Sequence, residues 1–130
     1  MSTPVSKIYS VFYSQFQTSI ELPEGIEEQF LLNALGDFEI ELYSLSYNDD
    51  LGIVENSLTR SEINIIGKIM YKYYLKRERD KVLKINNIVG KDVRMTGLGE
   101  TKREMNKAYD QLNIEIEAML NKLKRNTYLW

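Results

Sequence analysis

The chain has 130 residues, 43% of them hydrophobic and 28% charged, proportions that fit one globular domain and argue against a disordered or fibrous chain. It has no cysteine and no histidine, which excludes a disulfide framework and thiolate metal sites, and removes the general base on which most neutral-pH hydrolysis and much metal ligation depend. The formal net charge of −2 conceals a division: residues 1–59 hold one base, Lys7, against ten acids, whereas residues 60–130 hold sixteen bases against nine acids.

The opening Met1–Lys7 lacks a basic segment followed by an apolar run, and no apolar stretch reaches the roughly eighteen residues of a membrane span. Neither export nor membrane insertion is expected. Ile8, Tyr9, Phe12, Tyr13 and Phe16 recur at helical spacing, and although their β-branched and aromatic character also suits a strand, a short helix is the assignment. Leu22-Pro-Glu-Gly25 then reads as a helix start. Glu24, Glu27 and Glu28 stand where they favour the positive end of the helix dipole. This second helix is predicted from about Glu24 to Leu35, with Ile26, Phe30, Leu31 and Ala34 as its apolar stripe and Gly36-Asp37 as its stop.

Phe38-Glu-Ile-Glu-Leu42 alternates apolar and acidic residues, and Tyr43-Ser-Leu-Ser-Tyr47 continues in kind, which predicts a half-buried strand or an extended connector. A lone strand needs a partner, from this chain or another copy, or a helical surface to lie on. Asn48-Asp-Asp-Leu-Gly52 is turn chemistry, with loop to Ser57. Thr59-Arg-Ser-Glu62 is a capping box. It starts a third helix near Arg60, expected to run to about Lys84, with Ile63, Ile66, Met70 and Tyr73 on its buried side and Lys68, Lys72, Lys76 and Arg79 on another. Ile85–Gly90 breaks the pattern, Lys91–Gly99 reads as a loop, and Thr101-Lys-Arg-Glu104 repeats the capping box. The fourth helix carries the cleanest amphipathic stripe, from Met105 through Leu112, Ile116 and Leu120 to Leu123. Helices three and four are expected to form an antiparallel pair at the core.

The fold class expected is therefore mainly α, a bundle of about four helices with one extended segment and a free tail over 125–130. No carboxylate pair, metal-ligand set or phosphate loop emerges. Gly97-Leu-Gly99 lacks the Gly-Lys-Ser/Thr end of a Walker loop, and Glu115 and Glu117 lie on different helical faces. Catalysis, cofactor and metal are not expected. The charges instead suggest contact between copies: Glu24, Glu27, Glu28, Glu39 and Glu41 on one surface would meet Lys72, Lys76, Arg77, Arg79 and Lys81 on another in a head-to-tail ring. Tyr128 and Trp130 either fold onto their own core or anchor in a partner's pocket. The same basic run is the alternative basis for a small DNA-binding regulator, since cations along one helical side neutralise successive phosphates.

Three stretches, Phe30-Leu-Leu-Asn-Ala-Leu-Gly-Asp-Phe38, Ser57-Leu-Thr-Arg-Ser-Glu-Ile-Asn-Ile-Ile-Gly-Lys-Ile-Met-Tyr71 and Gly90-Lys-Asp-Val-Arg-Met-Thr96, are placed so that the chain resembles the small helical head–tail connector (adaptor or neck) proteins of tailed bacteriophages. It departs from that pattern at Val93, where an aromatic is usual. The resemblance implies a virion protein of the neck, made in the host bacterial cytoplasm. It further implies a ring of about twelve copies between the portal protein and the tail-completion or stopper protein, with DNA passing through the lumen, and no catalytic residues.

Overall fold

The computed structural model describes residues 2–16, 19–23, 25–89 and 96–128, and for 82–89, 96–102 and 126–128 the backbone elements alone. It is mainly helical with a small sheet. In chain order it contains β1 (Thr3–Pro4), α1 (Val5–Ser14), α2 (Ile26–Glu41), β2 (Tyr47–Asn48), β3 (Ile53–Val54), α3 (Arg60–Val89) and α4 (Thr96–Tyr128).

The start of α3 is the capping box that the sequence predicts. Glu62 N donates to Thr59 Oγ1 at 3.2 Å, and Thr59 N donates back to Glu62 Oε1 at 2.8 Å. From there α3 rises about 45 Å, and every other helix packs on it. α1 lies against it through Gly67, where a Cβ would stand 2.5 Å from Val11 Cγ1 and 3.2 Å from the Ile8 carbonyl oxygen; the backbones approach closely because glycine has no side chain. Phe16 wedges between Tyr71 and Tyr74, with edge-to-face ring separations of 5.0 and 4.7 Å, a favoured aromatic geometry. The core joins Ile8 and Phe12 of α1, Leu31, Ala34 and Phe38 of α2, Ile65, Ile66, Ile69 and Met70 of α3, and Leu112, Ile116 and Leu120 of α4. α4 runs antiparallel to α3, as expected: Lys68 faces Glu115, and Arg79, farther along, faces Tyr109.

The predicted extended segment over 38–42 is helical instead. α2 passes through Gly36 and Asp37 and ends at Glu41, with Leu42 N donating to Phe38 O at 2.9 Å. In a strand Phe38 and Ile40 would share a face; here Phe38 is fully buried and Ile40 is 82% exposed. A glycine inside a helix costs about 1 kcal/mol relative to alanine, less than burying Phe38 returns, so the helix continues. The partner for the extended residues that remain comes from the same chain. β3 lies between β1 and β2, antiparallel to both, with Val54 opposite Thr3 and Tyr47. The turn between β2 and β3 falls where predicted, Leu51 N donating to Asn48 Oδ1 at 3.2 Å and Gly52 taking φ +64°.

Three further expectations are corrected. α3 continues through Ile85–Val89 and not merely to Lys84, and α4 begins at Thr96, so Gly97, Gly99 and Thr101 are inside a helix and the second capping box starts nothing. The helix of α4 runs to Tyr128, so the first residues of the expected tail over 125–130 are helical. Adding one residue to an existing helix gains a hydrogen bond at the expense of fixing one residue, so two long antiparallel helices tolerate local sequence that would not nucleate a helix. Arg125 in the last turn also favours the negative end of the α4 dipole. Residues 90–95, with most of the third resemblance stretch, lie outside the described residues.

Candidate assembly surface

The expected sorting of opposite charges onto separate surfaces is only partly realised, because several charges meet within the chain. Asp37, from the acidic half, accepts from Lys72 Nζ at 3.3 Å and from Tyr73 OH at 2.8 Å. Glu41 pairs with Lys124 across the ends of α2 and α4. Lys68 stands 3.7 Å from Glu115. Helical packing causes this: α2 and α4 both flank α3, so Asp37 and Glu41 of the first half are set beside Lys72 and Lys124 of the second, and Glu115 of α4 beside Lys68 of α3.

The predicted interface residues separate accordingly. Glu27 accepts from Tyr13 OH, and Glu28 lies 3.4 Å from Tyr47 OH on the exposed start of α2. Glu39 is exposed, whereas Glu41 and Lys72 are held in the ion pairs just given. Arg79 is not a free surface cation. Its guanidinium sits 4.5 Å over the Tyr109 ring, with Nε buried and 3.8 Å from Asp80 Oδ1. Lys81 pairs with Glu78 at 3.2 Å but keeps half of its side chain in solvent. Glu24 and Trp130, with the side chain of Tyr128, lie outside the described residues.

What the fold does bring together is a groove between α2 and the second half of α3, of about 440 Å³ and lined by Phe30, Asn33, Tyr73, Lys76, Arg77, Asp80 and Lys81. Among the described residues no ion pair holds Lys76 or Arg77. A second depression of about 270 Å³ lies between α2 and α4, floored by Ile69, Ile116 and Leu120, with Ile40 on its rim. The Asp37–Lys72–Tyr73 cluster stands between the two. Sequence reasoning missed this cluster because it placed Asp37 in a helix stop. The i, i+3, i+4, i+7 recurrence Leu31, Ala34, Leu35, Phe38 was the available signal that the helix continues.

Tyr13, Tyr43 and Tyr73 each donate a hydrogen bond to a carboxylate. Burial, followed by the hydrogen bond to Glu27, pushes the Tyr13 phenol up to about 12. Burial and the bond to Asp37 do the same for Tyr73. Burial and the bond to Glu62 raise Tyr43, and burial with the carboxylates of Glu27 and Glu28 raises Tyr9. A protonated phenol beside a carboxylate donates to it and relieves its desolvation.

One exposed feature was not predicted. In the β2–β3 turn Leu51 is 69% exposed, directly after the exposed carboxylates of Asp49 and Asp50. The turn rests on the start of α1, Val5 N donating to Gly52 O at 3.0 Å. Ile114 on the outer side of α4 is 63% exposed. Among the described residues no group of three or more carboxylates gathers as a metal site, and no helix is long and apolar enough to cross a membrane.

No protein-family model, curated protein or solved structure matches this chain.

Proposed function

We propose that the chain is a structural assembly protein of the head–tail connector type, which acts by associating with its own copies and with neighbouring virion proteins and catalyses no reaction. The observation that carries this reading is the charge left over once the intramolecular pairs are formed. Lys76 is exposed and Arg77 half-buried at a groove whose wall includes Phe30 and Tyr73, while Asp49 and Asp50 stand exposed on the β2–β3 turn, and no base occurs between Lys7 and Arg60 in the sequence around that turn. A chain with unlike patches at separate places is suited to heterologous contacts, which close into rings when the rotation between copies allows. The resemblance supplies the setting: a neck ring between portal and tail-completion proteins, around the DNA.

Light scattering of the purified chain across a concentration series, at low and high salt, tests this. Association beyond the monomer that weakens as salt screens the patches is expected. A monomer at every concentration and salt overturns the reading. A second reading, a DNA-binding regulator, is favoured only by the solvent-facing Lys76, Arg77 and Lys81. A mobility shift selective for one DNA sequence would support it against the first.

A further inference from the structure

From the chemistry of the groove and of the turn, we infer that the β2–β3 turn of one copy docks in the α2–α3 groove of the next, Leu51 entering between Phe30 and Tyr73 while Asp49 and Asp50 meet Lys76 and Arg77. This deepens the assembly reading and rests on it. The two surfaces match in three independent respects. First, the turn presents a single apolar side chain, 69% exposed, and the groove has aromatic side chains in its wall. Burying a leucine that stays in water in the monomer favours association, because its apolar surface leaves water.

Second, the signs are opposite. Asp49 and Asp50 precede the leucine directly, and the groove lining holds Lys76, Arg77 and the Glu78-paired Lys81 against the one carboxylate of Asp80, itself close to Arg79. Third, one chain does not satisfy itself: the turn leans on the start of α1, whereas the groove is formed by α2 and the far half of α3. The contact is therefore heterologous, each copy using its turn on one neighbour and its groove on the other. A nucleic-acid backbone fits the groove less well, because an apolar wall and the Asp80 carboxylate would face phosphates.

The absence of cysteine makes the test direct in the full-length chain. Asp50→Cys on the turn and Asn33→Cys in the groove wall, which leave Leu51, Asp49, Lys76 and Arg77 in place, are purified separately, checked for unchanged helical circular dichroism, mixed and oxidised. Docking predicts that the mixed disulfide dominates over both homodimers. Two charge reversals form the second arm. Lys76→Glu with Arg77→Glu, and Asp49→Lys with Asp50→Lys, should each weaken association by about tenfold or more, and the two proteins mixed together should recover it.

Homodimer disulfides equal to or exceeding the mixed species, or association unchanged by either reversal, overturn the docking and leave the assembly reading standing. A wild-type chain that never associates overturns both. Reversal of Lys76 and Arg77 that abolishes DNA binding while leaving association intact overturns the docking in favour of a nucleic-acid groove.

Discussion

Val11 of α1 occupies the space in which any residue but glycine at position 67 would place its Cβ. The ideal Cβ falls 2.5 Å from Val11 Cγ1 and 2.7 Å from Val11 Cβ. Alanine is the better helix former by about 1 kcal/mol, so on propensity alone Gly67→Ala would stabilise α3. The steric conflict reverses the sign, because overpacking typically costs about 1–3 kcal/mol and both contacts are rigid atoms close to the backbone. Urea denaturation of Gly67→Ala should show a lower midpoint, and the double variant with Val11→Ala should recover part of the loss. A stabilised single variant would contradict the packing described.

Asp37 organises the side of α3 that faces the grooves. Its replacement by alanine leaves Lys72 and Tyr73, both partly buried, without their carboxylate partner. A loss of about 1–3 kcal/mol is expected. Because Tyr73 OH bonds to the same oxygen, the losses from Asp37→Ala and Tyr73→Phe should combine to less than their sum, as a double-mutant cycle in urea will show.

Glu62 is 8% exposed and serves two donors, Thr59 N at 2.8 Å and Tyr43 OH. Removing a capping side chain costs about 0.5–2 kcal/mol. Glu62→Ala should exceed an exposed control such as Glu39→Ala, and thermal denaturation measured by circular dichroism compares them.

Arg79 and Arg77 are two residues apart yet should behave oppositely. Arg79→Ala removes the cation stacked on Tyr109 and should lower stability by roughly 0.5–1 kcal/mol. Arg77→Ala should leave stability within about 0.5 kcal/mol while weakening association. Chemical denaturation and light scattering on the same two variants separate the effects.

Alkaline pH should loosen the fold. The Tyr13 and Tyr73 phenols ionise near 10.0 when unfolded and near 12 when folded. Between those values the unfolded chain has released protons that the folded chain retains. Stability is therefore intact below about pH 10 and falls as pH rises toward about 12. Urea midpoints measured across that window should fall, and less steeply in Tyr73→Phe.

Helical content and the start of α3 are both legible in the chain alone. A helix is read from side-chain recurrence at 3.6 residues, and its N-terminus from a Thr-x-x-Glu pair that bonds within four residues, so both signals are local. The β2–β3 turn is local in the same way, whereas the antiparallel run of α3 and α4 was expected from a connection long enough to reverse the chain. That Phe38–Glu41 is helical follows from packing and not from pattern, because alternation in the sequence and burial of Phe38 in the core pointed to opposite periodicities, and burial outweighed one glycine. The pairing of Thr3–Pro4 with Ile53–Val54 is likewise set by tertiary contact, since two-residue strands are fixed by a neighbour far along the chain. The assembly surface divides in the same way. The charge imbalance is written in composition, but which cations remain in solvent depends on distance: Lys72 lies 3.3 Å from Asp37, Arg79 lies over Tyr109, and Lys76 and Arg77 border a groove. Charge is a property of each residue, whereas neutralisation is a property of pairs, and the pairs that matter here lie thirty or more positions apart.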